Sequence, residues 1–198
     1  MNSQGFFMEK FLIAGLGNIG DEYAHTRHNI GFDILNYFVQ KHKATFSIDR
    51  LAYRAEVKLK GRMVICILPT TFMNLSGKAI KYWLDKEKID VTKLLVLVDE
   101  LAVPLNKIKI KPAGSDGGHN GLRSVQEVLQ TTAYPRLRFG IGNDFPKGMQ
   151  VEFVLGKWNN SEVPVVSKKI EKCAEAIEQF VLTDLEKTMA NFNNLVFE

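Results

Sequence analysis

Apolar residues along this chain fall into two alternating periods. Residues 11–14 form a short unbroken apolar run closed by Gly15 and Gly17, the mark of a buried strand. Beyond a polar stretch, Ile30, Ile34, Leu35 and Phe38 recur at helical spacing and predict a helix over 30–39. Residues 53–59 and 62–68 read as two strands joined at Lys60-Gly61. A helix over 76–84 and a fully buried strand over 94–98 follow. Residues 107–111 alternate lysine with isoleucine, as a half-buried strand does, and 122–129 and 137–141 predict a helix and a strand. Ser161 offers an N-cap, and Pro164 a first-turn position, for a helix striped by Val166, Ile170, Cys173 and Ile177; a last helix lies near 185–192.

This alternation predicts an α/β fold: a single three-layer domain over residues 1–198, with a twisted, mostly parallel mixed sheet flanked by helices and one antiparallel insertion. No repeat or linker interrupts it. In such folds sites gather beyond the carboxyl ends of the strands. The loops to search are therefore 15–29, 69–74, 99–104 and 114–121.

Composition narrows the class. Hydrophobic residues make up 45% of the 198 and charged residues 24%, which excludes collagen-like and disordered chains. The longest apolar runs, 11–16 and 64–68, fall short of the roughly 20 residues needed to span a bilayer. The first residues lack the pattern of a secretory signal, so a cytoplasmic location and no membrane partner are expected. Met8 offers an alternative start that would leave 1–7 as a dispensable leader. Cys66 and Cys173 read as buried small apolar residues in a reducing compartment.

Charge is unevenly placed. Between Lys107 and Lys147 stand seven basic residues (Lys107, Lys109, Lys111, Arg123, Arg136, Arg138, Lys147) and three acids, a surplus equal to the whole net charge of +4. A basic segment in an otherwise neutral chain suggests an anionic partner, phosphates foremost; a solvated strand face is the plainer reading.

Gly15-Leu-Gly17-Asn-Ile-Gly20 matches the G-x-G-x-x-G dinucleotide fingerprint. That fingerprint needs a helix opening inside the motif so that its amino terminus meets a pyrophosphate. Residues 21–29 are instead polar and aperiodic, with Asp21 and Glu22 where the phosphates would lie. No nucleotide cofactor is expected. G-x-S-x-G and Walker motifs are absent too. His25-x-x-His28 has ligand-like spacing, but only the fold could add Asp99 or His119 as a third ligand, and no metal is expected.

The candidate loops share a different inventory: Asn18, Asn29, Asn74 and Asn120, with Tyr23, His28, His119 and Asp99. Carboxamides are neither bases nor nucleophiles at neutral pH, but they orient water and donate to developing oxyanions. A histidine beside a strand-end aspartate makes a general base, because the carboxylate fixes its tautomer and favours the imidazolium. With no activated Ser or Cys in these loops, direct attack by water is the chemistry indicated. Other readings of single residues stay open: Asn18 as a turn residue, Asp99 as a cap, His119 as an orienting group.

Longer segments carry a resemblance. Gly15-Leu-Gly-Asn-Ile-Gly-Asp-Glu-Tyr-Ala-His-Thr-Arg-His-Asn29, Pro69-Thr-Thr-Phe-Met-Asn-Leu-Ser-Gly77, Val98-Asp-Glu-Leu101 and Gly117-Gly-His-Asn-Gly-Leu122 resemble the signature segments of bacterial-type peptidyl-tRNA hydrolase. Arg138-Phe-Gly-Ile-Gly142 and Phe153-Val-Leu-Gly156 add two shorter matches in the same order. The resemblance implies a carboxylic ester hydrolase that cleaves peptide from tRNA in prematurely released peptidyl-tRNA, binds the acceptor stem and CCA end, and works as a monomer without cofactor or obligate protein partner. By position, His28 resembles the general base, Asp99 its orienting carboxylate, and Asn18 the residue that helps reject substrates with a free amine. Tyr23, Phe72, Asn74 and Asn120 resemble contacts for the terminal adenosine and peptide main chain, with Asn29 and His119 in support. Lys111 and Arg138 resemble a clamp for the 5′-phosphate of the acceptor stem. The family usually carries proline where Ile19 stands and aspartate where Ala102 stands. A non-catalytic RNA-binding protein of the same fold is the alternative that loss of His28 or Asp99 would have favoured.

Overall fold

The computed structural model describes residues 8–198, so the leader suggested for 1–7 lies outside the described residues. Seven strands build one sheet: β1 (Glu9–Gly15), β2 (Ser47–Asp49), β3 (Ala52–Leu59), β4 (Arg62–Pro69), β5 (Leu94–Glu100), β6 (Ile108–Lys111) and β7 (Arg136–Gly140), in the order β2-β3-β4-β1-β5-β7-β6. The central strands β4, β1, β5 and β7 run parallel, while β2 and β3 add an antiparallel edge beside β4. The sequence led us to expect one antiparallel insertion; the structure has a second, because β6 pairs antiparallel with β7 at the other edge. The short 101–107 link sends the chain straight back, whereas a parallel return needs a crossover of a dozen residues or more.

Among the described residues, six α-helices accompany the sheet: α1 (Ile30–Lys41), α2 (Ser76–Glu87), α3 (Asn120–Leu129), α4 (Gln150–Val154), α5 (Val163–Leu182) and α6 (Leu185–Phe192). The central strands are apolar on both sides and so divide the core. In β5, Leu95 and Leu97 pack with Ile34 and Phe38 of α1 and Ile177 of α5. Leu94, Val96 and Val98 pack with Ile80 and Trp83 of α2 and Val125 of α3. Glu162 rather than Ser161 stands at the N-cap of α5, and it makes no side-chain cap bond. Its carboxylate is engaged elsewhere, accepting from Arg27 and from the Asn159 backbone. No helix among the described residues is long and apolar enough to cross a membrane.

One glycine pair sets the position of α1. A Cβ on Gly31 would lie 2.5 Å from the backbone of Leu16 and of Leu97, and a Cβ on Gly15 2.3 Å from the Gly31 carbonyl oxygen. The first turn of α1 can therefore rest directly on the ends of β1 and β5. The glycine-rich segment serves helix–strand packing: Asp21–Tyr23 form only a 3-10 turn, and no α-helix opens before Ile30.

Lys169 of α5 is fully buried on the same face of the sheet as α1, where its ammonium donates to the Leu105 and Gly140 carbonyls and lies 3.5 Å from the centre of the Phe139 ring. Burial pushes its pKa down to about 7. The folded chain thus gives up a proton that an unfolded lysine keeps to its ordinary value near 10.4, and from about pH 7 up to that value this residue's contribution to stability grows with pH. Chemical unfolding at pH 6.5 and 9.5 should show wild type gaining on Lys169→Met as pH rises; a gap independent of pH would contradict this.

Candidate active site

Two turns and a strand end meet around one carboxylate. Asp99 is the penultimate residue of β5 and is 4% exposed. His28 sits in a 3-10 turn, Arg27–Asn29, that runs directly into α1, and the Gly15–Gly31 contact brings that turn over the strand ends. His119 is the N-cap of α3. Asp99 Oδ1 lies 2.9 Å from His28 Nδ1 and 2.9 Å from His119 Nε2. The α3 backbone decides the tautomer of His119: the amides of Gly121 and Leu122 donate to its Nδ1 at 3.1 and 3.3 Å. Nε2 must then carry the hydrogen and donate to Asp99, and His119 has no lone pair left for a substrate.

His28 is arranged the other way. Its Nδ1–H faces the Asp99 carboxylate, and among the described residues nothing bonds its Nε2. Burial alone would lower the His28 pKa, but the charge and hydrogen bond of Asp99 outweigh it and hold the imidazole above its ordinary value. Burial pushes the Asp99 carboxyl up, yet the two imidazoles hold it well below the usual carboxylate range. This is an oriented base with an open nitrogen beside an orienting histidine.

A carboxamide lattice joins the first two loops. Asn29 Oδ1 accepts from the Asn18 backbone and Asn29 Nδ2 donates to the Asn18 carbonyl, both at 2.9 Å. Asn18 Oδ1 accepts from the Met73 backbone at 2.9 Å. The buried Asn29 is thus a buttress, and Asn18 is left with its Nδ2–H₂ as a donor pair. Asn18, His28, Asn74, Asp99, His119 and Asn120 line a cavity of about 340 Å³. Its apolar side comes from Met73, Leu101 and the short helix α4, through Val151 and Val154.

The structure does not gather every residue singled out in the sequence. Tyr23, half-buried, and Phe72, 55% exposed, do not line this cavity. Lys111 and Arg138, which the resemblance pairs on a phosphate, stand on neighbouring strands in different surroundings. Arg138 is 8% exposed, with its guanidinium bonded to the Glu100 carboxylate and, at 2.7 Å, to the Ser115 carbonyl. Lys111 is exposed and stands in register with Arg136 instead. Arg136, fully buried, bonds the Gly114 carbonyl, so the two arginines pin the 114–118 loop while Lys109 and Lys111 face solvent. The sequence reading missed α4 and gave no role to Arg27; the only signal was Phe153-Val-Leu-Gly156, noted as a motif without a place.

His28, Asp99 and His119 hold ligand atoms within 4.8 Å of one another, a set a metal could use. Each already satisfies another, and a metal would displace both hydrogens held by Asp99. His25 is no part of this set: it is exposed and bonds Asp33.

Comparison with known proteins decides the lineage. A family model described as peptidyl-tRNA hydrolase matches residues 12–198. The chain belongs to the peptidyl-tRNA hydrolase family. It is 47% identical over 185 residues to a peptidyl-tRNA hydrolase of Parabacteroides distasonis, covering 93% of this chain and 99% of that one. It is 45% identical over 184 residues to one of Bacteroides fragilis, covering 93% and 98%. The crystal structure of peptidyl-tRNA hydrolase from Acinetobacter baumannii superposes with a TM-score of 0.89 at 31% identity, over 96% of this chain and 97% of that one. Within this peptidyl-tRNA hydrolase fold, Ala102 lines a neighbouring cavity with Arg27 and Leu101, not the one His28 faces. The absent carboxylate at 102 therefore leaves the His28–Asp99 pair intact.

If Asp99 sets the state of His28, NMR titration should place the His28 pKa above the ordinary imidazole value of about 6.5 in wild type. In Asp99→Asn the charge is gone while burial remains, so the value should fall below it. A His28 titration equal in both proteins would refute the assignment.

Proposed function

We propose that this chain hydrolyses the ester linking peptide to the terminal ribose of peptidyl-tRNA, acting in the cytoplasm on the acceptor stem and CCA end. The observation that carries the reading is the free Nε2 of His28 opposite an Asp99 bond, in a cavity edged by carboxamides.

His28 Nε2 takes a proton from water, and the hydroxide adds to the ester carbonyl. Asp99 stabilises the imidazolium by charge and by the Nδ1–H bond, which keeps the base oriented. The carbonyl oxygen becomes an oxyanion, and side-chain amides at the rim, Asn74 and Asn120, are donors suited to it. Collapse breaks the bond to the ribose oxygen, which leaves with the proton from His28 Nε2. One water is consumed; a free ribose hydroxyl and a peptide carboxylic acid result, and the acid loses its remaining proton to solvent as the carboxylate.

Asn18 supplies discrimination. Its Oδ1 accepts from the Met73 backbone, which fixes the side chain and leaves both Nδ2 hydrogens as donors suited to the carbonyl of a blocked amine. A free ammonium brings only donors to that place and no acceptor. Phe72, exposed beside the cavity residue Met73, offers a ring for the terminal adenine, with Tyr23 as a second contact. Lys109 and Lys111 form the solvent-facing basic strip for stem phosphates, without base reading.

Release of free tRNA from an N-acetylated aminoacyl-tRNA, with the unblocked ester as control, tests the activity. Wild type should turn over only the blocked ester, and His28→Ala should lose turnover while keeping tRNA affinity. Tight tRNA binding without turnover in wild type would favour the non-catalytic RNA-binding alternative. Lys111→Ala should flatten the salt dependence of binding by about one phosphate's share, a slope change of roughly 0.7–0.9. Arg138→Ala should instead lower stability, as expected for a buried ion-pair member. An unchanged slope for Lys111→Ala would remove the strip from the proposal.

A further inference from the structure

The wall made by α4 cannot place itself. The helix is five residues long with none buried, and isolated helices shorter than about 12–15 residues are marginal in water. Its place must be imposed from outside: Phe153 and Val154 rest against the core, and the polar anchors of the segment converge on one side chain. Arg27 is 5% exposed, and its Nη1 donates to the Lys157 carbonyl at 2.8 Å and more weakly to the Phe153 carbonyl at 3.4 Å. Nη2 donates to Glu162 Oε2 at 2.7 Å, the same oxygen that accepts from the Asn159 backbone at 2.7 Å. The guanidinium lies over the rings of Phe153 and Trp158, 4.4 and 5.1 Å from their centres. The Arg27 backbone donates to the Gly156 carbonyl at 3.0 Å, and Thr26 forms a β-bridge with Lys157. The polar anchors of the segment from Phe153 to Glu162 thus converge on Arg27, with Thr26 beside it.

That residue immediately precedes His28 in the same 3-10 turn. We propose that Arg27 is a positioning residue that holds the apolar wall of α4 at a fixed distance from His28, so that base and wall form one rigid cavity. The proposal rests on the cavity being the ester-hydrolysing site. Arg27 bonds neither His28 nor Asp99 and does not line the catalytic cavity. Its loss should therefore loosen the wall while leaving the His28–Asp99 pair and its titration in place.

The test is steady-state kinetics on a minimal substrate, an N-acetylated aminoacyl ester of the CCA trinucleotide, where contacts in the cavity are not masked by the acceptor stem. Arg27→Met should raise KM about tenfold with kcat within roughly threefold of wild type and an unshifted pH–kcat profile. Glu162→Gln, which keeps the fold's size and shape, should give a smaller rise in the same direction, and Arg27→Lys should recover part of the loss because it keeps the charge facing Glu162. The Glu162→Gln variant decides the matter if Arg27→Met fails to fold. A lower melting temperature with kcat and KM both unchanged in Glu162→Gln would make the arginine merely structural and overturn the proposal. A fall in kcat at constant KM with a shifted pH profile would mean that it acts on His28 itself, which overturns it equally. Wild type inactive on the full blocked aminoacyl-tRNA would defeat the hydrolase reading and this inference with it; wild type active with both variants unchanged would defeat the inference alone.

Discussion

A carboxylate that is 4% exposed is the constraint on which the rest of this site depends. Removing one ion from water costs several kcal/mol unless close partners replace the solvent. Asp99 obtains two, and each has a structural consequence. The bond from His119 Nε2 requires that imidazole to turn its Nδ1 toward the amino terminus of α3, where two otherwise unpaired amides donate to it. The bond from His28 Nδ1 leaves the opposite nitrogen open. One buried charge thereby separates two histidines into a fixed orienting group and a usable base, though the residue types alone do not distinguish them.

Bringing those partners together requires backbone approach closer than any side chain allows. Gly15 and Gly31 provide it, and the consequence reaches beyond packing. With α1 seated on the strand ends, the polar segment before it can form only short 3-10 turns, so no helix amino terminus is available at the glycines to receive a pyrophosphate. The same residues that mimic a dinucleotide fingerprint thus rule that function out by the way they are used. The asparagines continue the construction. Asn29 closes a reciprocal pair with Asn18, which in turn reaches the Met73 backbone, so two loops from different strands are joined in one polar frame.

Much of this was legible in the chain because buried strands and amphipathic helices carry their periods openly. The boundaries of α6 and the hairpin β3–β4 follow from local pattern alone. The three-residue β2 is exposed throughout and carries no period, so nothing marks it. Helix α4 escaped for the same reason: it is five residues long and none of them is fully buried, and a short helix without a buried stripe has no signature. The antiparallel pairing of β6 is set by a partner that comes later in the chain, which alternation cannot reveal. In the site, the chemistry-bearing types were readable, whereas the residues that hold them were not. Arg27 looks like any loop cation until residues more than 120 positions away close over it.

The basic surplus shows how far a charge count can be carried. Its segment lies where the sequence put it, yet its arginines and lysines do different work on one face of the β6–β7 pair. Arg136 and Arg138 are drawn inward to bond loop carbonyls and Glu100, because a planar guanidinium can satisfy several acceptors in a confined space. Lys109 and Lys111, compact and strongly hydrated, stay in solvent. The arginines therefore shape the loop that carries His119, and the lysines supply the external field. For the proposed reaction this division is apt, since the reacting ester is neutral and sits at the end of a polyanion. Cations inside the cavity would draw phosphates toward the base and lower the imidazole's readiness to accept a proton. Placed on an outer strand, they can attract the stem while the cavity itself keeps carboxamides, the Asp99 carboxylate with its two imidazoles, and an apolar wall.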